Sequence, residues 1–96
     1  MLNLTKIAKA LADENRFEIL KLIADRGEIS CGELTQKFGL AQPTISYHLK
    51  ILQDAHLINM RKAKQYAYFS VNFDVIKEFI DLIENSILKN INVTNS

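Results

Sequence analysis

The sequence predicts one mainly α-helical domain, residues 1–96, with a small β-hairpin. Three observations support this prediction. Ninety-six residues are enough for one hydrophobic core and too few for two. Apolar residues recur at helical spacing along most of the chain, and only residues 57–71 alternate in the way that strands do. Glycine and capping residues separate the helical segments, which fixes the order of the elements.

Two amphipathic helices are predicted at the start of the chain. The first covers residues 2–12, where apolar side chains form a stripe at helical period. Asp13 is a good N-cap for the second helix, in which Phe17, Leu20 and Ile23 or Ala24 are expected to face inward. Arg16 is expected to form a local ion pair at the start of this helix, with a phosphate contact as the alternative. Gly27 is its C-terminal stop.

Residues 33–55 have the spacing of two helices joined by a tight turn. Ser30 is the expected cap of the first of these helices, which is two turns long and ends at Gly39. Pro43 is expected at the first position of the next helix, where the missing N–H costs nothing. A short helix, a turn of about three residues and a second helix predict a helix-turn-helix.

The second helix of this pair has two chemically different faces. The buried stripe consists of Ile45, Leu49 and Leu52. The opposite face carries Pro43, Ser46, Tyr47 and Lys50. A hydroxyl, a phenol and an ammonium suit the phosphates and base edges of a DNA major groove. The alternative is an ordinary solvated surface.

The alternating segment, residues 57–71, predicts a hairpin with a basic tip. The tip residues are Arg61, Lys62, Lys64 and Gln65. Between residues 42 and 71 four basic side chains face only one acidic side chain, so the positive charge of the chain is concentrated there. A basic hairpin after a helix-turn-helix predicts a two-stranded wing. The alternative is an edge hairpin whose lysines prevent aggregation.

A long helix over residues 73–91 is predicted to form a homodimer. Its apolar face includes Ile76, Phe79, Ile80, Ile83 and Ile87 and covers more than half of the circumference. Such a face needs a second surface, and the same helix of another subunit is the expected partner. Leu4 and Ile7 of the first helix are expected to join this interface. The alternative is that the helix packs entirely within its own subunit.

Composition narrows the function classes. No apolar run approaches the eighteen residues of a membrane span, and the N-terminal segment lacks the long apolar core of a secretion signal. The single cysteine, Cys31, cannot form an internal disulfide, which favours a reducing compartment. We therefore expect a cytoplasmic protein with no membrane partner. No nucleophile, acid–base pair or phosphate loop with motif context is present, so neither an enzyme nor a cofactor is expected.

In total, the sequence predicts five helices and a two-stranded wing, and this order resembles the ArsR family of bacterial winged helix-turn-helix repressors. The segment KALADENRFEILKLI is similar to the opening of that family. The segment GELTQKFGLAQPTISYHLKILQDAHLI is similar to its recognition segment, with Ser46, His48, Leu49 and Leu52 as the Ser-x-His-Leu-x-x-Leu core. The resemblance covers about residues 5–72. The last helix resembles that of the family only in its general character and not in a sequence motif.

The resemblance implies a homodimer that represses transcription from a near-palindromic operator in double-stranded DNA. Two recognition helices would enter successive major grooves, roughly 34 Å apart. The base-reading positions of the family fall on Gln42, Pro43, Ser46 and Tyr47, with Thr44 close to the backbone. Pro43 departs from the small hydroxyl residue of many relatives, and His48 is expected to be structural.

The resemblance also draws attention to metal sensing, for which the ligands are missing. Arsenic-responsive members carry Cys-Val-Cys where this chain has Ser30-Cys31-Gly32, and the last helix has no histidine. We therefore expect no metal site. Cys31 remains a candidate redox switch, and an effector of unknown identity is a candidate partner. Besides a repressor, the alternatives are a thiol-based sensor and a winged-helix module that binds only protein.

Overall fold

The computed structural model describes residues 2–88, and within them it contains five α-helices and one three-stranded antiparallel sheet. The elements in chain order are α1 (Leu4–Leu11), α2 (Glu14–Arg26), β1 (Ile29–Ser30), α3 (Cys31–Phe38), α4 (Gln42–Asp54), β2 (Ile58–Ala63), β3 (Tyr66–Val71) and α5 (Phe73–Ile83). The predicted winged helix-turn-helix fold, mainly α with a small hairpin, is confirmed.

Most of the helices begin at a polar side chain that accepts a hydrogen bond from the first turn. Asp13 Oδ1 accepts from the Arg16 amide at 3.1 Å. Ser30 forms a reciprocal capping box with Glu33 at the start of α3. Asn72 caps α5. Because these bonds satisfy amides that lack an acceptor within the helix, the local sequence determines where each helix begins.

The turn between α3 and α4 is three residues long. Gly39, in the left-handed region at a φ of 64°, ends α3, and α4 starts at Gln42. Pro43 is therefore the second residue of α4. We had predicted that it would be the first. Proline is tolerated at either position, since the first amides of a helix have no acceptor within it.

The core lies between the helices and one face of the sheet. Ile45, Leu49 and Leu52 are all at most 3% exposed, as their spacing predicted. They pack with a cluster of other fully buried side chains, among them Ile7, Ile19, Ile23, Ile29, Leu34 and Leu57.

The prediction that Phe17 faces inward is wrong. Its side chain is 46% exposed, whereas Leu20 and Ile23 are buried as predicted, together with Ile19, on the buried face of α2. At 100° per residue, Phe17 lies about a third of a turn from the centre of that face. The ring lies beside Lys21, whose ammonium is 5.9 Å from the ring centroid.

The sheet has the strand order β1-β3-β2. The hairpin β2–β3 pairs Ile58 with Val71 and Ala63 with Tyr66, which leaves Lys64 and Gln65 as a two-residue turn. The two-residue strand β1 pairs with the other edge of β3. It connects the wing to the end of α2.

Helix α5 continues as a π-helical segment, Glu84–Leu88. The predicted helix extended to residue 91, and residues 89–91 lie outside the described residues. Val75, Ile76 and Phe79 pack against the core, whereas Ile80 and Ile87 are exposed. None of the helices in the described part of the chain is both long enough and apolar enough to cross a membrane.

Candidate DNA-binding interface

The outer face of α4 gathers most of the residues that were predicted to contact DNA. Every predicted contact on this helix is exposed: Gln42, Pro43, Thr44, Ser46, Tyr47 and Lys50. Tyr47 is 61% exposed. Since the opposite stripe is fully buried, the helix is rigidly mounted with its polar face directed outward.

The start of α4 differs from the other helix starts. Ala41 occupies the N-cap position and provides no side-chain hydrogen bond. The amides of Thr44 and Ile45 both donate to the Ala41 carbonyl, at 3.0 and 3.1 Å. The first turn contains no acidic residue. The positive end of this helix dipole is therefore uncompensated by a carboxylate, which favours an approaching phosphate.

His48 lies on the buried side of α4 and is 6% exposed. Its Nδ1 lies 3.4 Å from Nη1 of Arg16. Because arginine can only donate, Nδ1 is the acceptor in this contact. His48 is thus a structural histidine bonded within the fold, as predicted.

Arg16 does more than form the local ion pair that the sequence predicted. Its Nη1 is 3.9 Å from Asp13 Oδ2, a long contact. The stronger bond is from Nε to the carbonyl of Ala10 at 2.8 Å, at the end of α1. One guanidinium therefore ties α1 and α2 to His48 of α4. Helix α1 ends only three residues before α2 begins. The last carbonyls of a helix have no donor within it, so those of α1 needed a partner nearby, and we had overlooked this signal.

Asp13 is held ionised by its capping role. The backbone N–H of Arg16 donates to its carboxylate, and this bond lowers the pKa of Asp13 below its ordinary value. The positive guanidinium of Arg16 acts in the same direction.

Lys50 is mounted at the middle of α4 with 76% of its side chain exposed. Its Nζ is 3.4 Å from Asp54 Oδ1, one turn along the helix. An exposed pair of this kind is weak. The ammonium can therefore exchange the carboxylate for a DNA phosphate at little cost.

The structure separates the predicted wing residues into two groups. Side chains alternate between the faces of a strand, so Arg61 and Lys62 lie on opposite faces of β2. Lys62 shares the face of the buried Ile58. Arg61 lies on the other face, where both oxygens of Glu28 accept its hydrogen bonds. We had not identified Glu28 from the sequence. Strict alternation along the strand would, however, have predicted that Arg61 and Lys62 lie on opposite faces.

Lys64 and Gln65 form the tip of the wing and are both exposed. Lys64 has a φ of 59°, in the left-handed region that side chains other than glycine rarely adopt. Gln65, the second residue of the turn, does not have a positive φ. Positive φ at the first turn residue alone is the pattern of a type II′ turn, in which glycine is preferred.

Cys31, the candidate redox residue, is half-buried at the first position of α3. Its Sγ lies 3.9 Å from Oγ of Ser46, so it touches a predicted base-reading residue. Within residues 2–88 no group of three or more His, Cys, Asp or Glu residues could hold a metal ion.

The predicted dimer residues differ in exposure. The exposed ones are Leu4 at 37%, Ile80 at 50% and Ile87 at 58%. Ile76, Phe79 and Ile83 are half-buried. Ile7 is 1% exposed because it packs in the core of its own subunit. It has no surface left for a partner, and we remove it from the predicted interface.

Comparison with known proteins identifies the family. The profile of a helix-turn-helix domain matches residues 11–61. The chain is 33% identical over 86 residues to the transcriptional repressor SdpR of Bacillus subtilis, covering 90% of this chain and 94% of that protein. It is 32% identical over 93 residues to the arsenical resistance operon repressor of Staphylococcus aureus, covering 97% and 81%. The protein belongs to the ArsR family.

A solved structure agrees with this membership. The homodimeric winged helix-turn-helix DNA-binding domain Mb0332 of Mycobacterium bovis, known from solution NMR, superimposes with a TM-score of 0.71 at 26% identity. The match covers 88% of this chain and 80% of that one. As an ArsR-family member, the chain is a DNA-binding transcriptional regulator.

Proposed function

We propose that this ArsR-family protein is a homodimeric repressor that binds a near-palindromic operator in the cytoplasm. The geometry of α4 is the main support for this proposal. Its inner stripe is fully buried, its outer face is polar and exposed, and its first turn lacks both a side-chain cap and an acid. A helix mounted in this way fits the major groove, with its N-terminal residues at the base edges.

The exposed side chains divide by the chemistry they offer. The amide of Gln42, the hydroxyl of Ser46 and the phenol of Tyr47 have the donors and acceptors that base edges require. Thr44 and Lys50 lie where the phosphate backbone would pass. Pro43 offers only an apolar surface, so it alters the sequence preference relative to family members that carry a hydroxyl residue at this position.

Residues 57–71 form the wing, whose cationic tip contacts the DNA backbone. Lys62, Lys64 and Gln65 are exposed there. Lys62 and Lys64 form no ion pair with any residue in the 2–88 range. Their charges are therefore available to displace counterions from DNA, which makes affinity fall steeply with salt.

Dimerisation is proposed through residues 2–12 and 73–91. Phe73, Ile80 and Ile87 recur every seven residues along α5 and its π-helical extension, and all three are at least 50% exposed. These three side chains and Leu4 are large apolar groups exposed to solvent, which a second copy can bury. The homodimeric state of Mb0332, a relative of similar fold, supports this assignment.

A salt titration tests the DNA-binding role. We expect the wild-type protein to bind a duplex of its own promoter region, with log K falling by about 0.9 per phosphate neutralised against log salt. Lys62→Gln with Lys64→Gln should reduce this slope by about 1.8, since two phosphate contacts are lost. Lys21→Gln, on the exposed side of α2, is the matched control and should leave the slope unchanged.

The absence of binding to duplex DNA at low salt would refute the proposal and favour a module that binds only protein. Light scattering tests the dimer. A monomer at micromolar concentration would leave the exposed face of α5 without the partner that we assign to it.

A thiol-based sensor is the second candidate function, favoured by the contact between Cys31 and Ser46. Hydrogen peroxide would transfer one oxygen atom to the Cys31 sulfur, which lies 3.9 Å from the Ser46 hydroxyl, and would leave as water, so that the thiol becomes a sulfenic acid. We expect peroxide to release the wild-type protein from DNA and to leave a Cys31→Ser variant bound. Equal behaviour of the two proteins would exclude this role and leave the effector to be found among other ligands.

A further inference from the structure

Arg61 is fixed by three contacts on the outer face of the sheet. Its Nε donates to Glu28 Oε2 at 3.0 Å, and its Nη2 donates to Glu28 Oε1 at 2.7 Å. Two parallel charge-assisted bonds are the strong, directional form of an arginine–carboxylate pair. The guanidinium carbon also lies 4.9 Å from the ring centroid of Tyr68, within cation–π range. The guanidinium therefore has one defined position.

The Glu28–Arg61 pair crosses the whole sheet. Arg61 is on the outer strand β2, and its directly opposite partner on the middle strand β3 is Tyr68. Glu28 immediately precedes β1, the strand at the other edge. It also follows Gly27, the residue that ends α2. The pair thus joins the outer strand of the wing directly to the helical body.

Both partners remain charged under physiological conditions. The hydrogen bonds from Arg61 lower the pKa of the Glu28 carboxyl, and Glu28 raises the pKa of Arg61 in turn. Lys62, the next residue of the strand, points to the opposite face. Two neighbouring cations of the wing therefore meet different environments: one carboxylate-bound and stacked on a ring, the other without an ion-pair partner among residues 2–88.

We propose that Glu28 and Arg61 are positioning residues for DNA binding. They hold the wing at a fixed angle to the body, so that Lys62 and Lys64 reach the backbone while α4 occupies the groove. In this role Arg61 does not contact a phosphate, which revises the sequence-based assignment. The inference rests on the proposed function, because it presupposes that the wing binds DNA.

Removal of the Glu28 charge distinguishes a positioning role of Arg61 from a phosphate-binding role, because the two roles change the DNA affinity in opposite directions. If Arg61 bound a phosphate and Glu28 only competed for it, removal of the Glu28 charge would strengthen binding. Loss of a negative charge near DNA acts in the same direction through simple electrostatics. A positioning role predicts weaker binding, because a loosened wing must be ordered again when it binds.

The experiment measures duplex affinity over a range of salt for Glu28→Gln, Arg61→Gln and the double variant. We expect each single variant to bind about five-fold more weakly, the size expected for residues coupled in one network. The double variant should bind no more weakly than either single one. The slope of log K against log salt should remain that of the wild type in all three, whereas Lys62→Gln should reduce it by about 0.9.

Two further measurements complete the test. The exchanged pair Glu28→Arg with Arg61→Glu restores an ion pair and should recover most of the lost affinity. Thermal unfolding of each variant establishes that the fold is intact, as expected for exposed side chains. Stronger binding by Glu28→Gln, or a slope reduced by about 0.9 in Arg61→Gln, would overturn the inference. If the wild-type protein itself fails to bind duplex DNA, the proposed function fails instead.

Discussion

Replacement of Lys64 by glycine should stabilise the protein and weaken its binding to DNA. Lys64 adopts a φ of 59° at the first position of the wing turn. A left-handed conformation costs a side-chain-bearing residue roughly 1–2 kcal/mol. Glycine avoids this cost but loses about 0.5–1 kcal/mol more conformational entropy on folding. Taken at the midpoints of the two ranges, about 1.5 and about 0.75 kcal/mol, the net stabilisation is about 0.5–1 kcal/mol.

The assay combines thermal unfolding with a salt titration of DNA binding. For a domain of this size, about 0.5–1 kcal/mol corresponds to a rise in Tm of roughly 2–8 °C at fixed protein concentration. In the titration, loss of one phosphate contact should reduce the slope of log K against log salt by about 0.9. Stability and affinity therefore move in opposite directions.

Two control variants separate the backbone effect from the charge effect. Lys64→Gln removes the charge and keeps the left-handed backbone, so it should lower the slope without raising Tm. His56→Gly relieves a positive φ, 61°, at the opposite end of β2 from the tip of the wing, so it should raise Tm without changing the slope. A Lys64→Gly variant that is stabilised but retains the wild-type slope would refute the role of Lys64 at the phosphate backbone.

Three other variants test the recognition helix and its support. Ala41→Asp should stabilise the protein by about 1 kcal/mol in thermal unfolding, because it supplies the missing N-cap, yet weaken DNA binding through repulsion of phosphate; stronger DNA binding would mean that the start of α4 does not approach the backbone. Tyr47→Ala should relax the preference for operator over random duplex in competition assays, whereas Lys62→Ala should weaken both alike; the reverse pattern would show that α4 is placed wrongly. Asp13→Asn should be less stable than the wild type near neutral pH, since the lowered pKa of Asp13 contributes stability above the pKa of the unfolded state. This difference should begin to shrink below about pH 4, the ordinary pKa of an aspartate, and should disappear as the pH falls through the lowered pKa of Asp13 in the folded protein; a difference in denaturation midpoint that stays constant with pH would refute the ionic contribution.

The sequence predicted what local interactions determine. Several helices begin or end at residues that act only on the chain next to them. The side chains of Asp13, Ser30 and Asn72 accept hydrogen bonds from backbone amides three residues later, and Gly39 ends α3 in the left-handed conformation. The buried stripe of α4 followed from a period that depends only on helix geometry. These features allowed the order of the elements, and hence the wing after the helix-turn-helix, to be predicted correctly.

Features that depend on distant segments were not predicted. Arg61 bonds to Glu28, which lies thirty-three residues earlier in the chain, and no local pattern indicates that pairing. Phe17 and Ile7 were misplaced for a related reason. Periodicity identifies an apolar stripe, but which edge of the stripe is buried depends on where the neighbouring helices lie. Arg16 was expected to make a local pair and instead connects α1, α2 and α4.

We propose that two copies of α4 read two half-sites of one operator. Selection of bound sequences from a random duplex pool tests it most directly, because it measures specificity and symmetry together. We predict enrichment of inverted repeats whose half-sites lie about 34 Å apart, one turn of DNA. Recovery of sequences without a repeat, or no enrichment over the starting pool, would contradict this account.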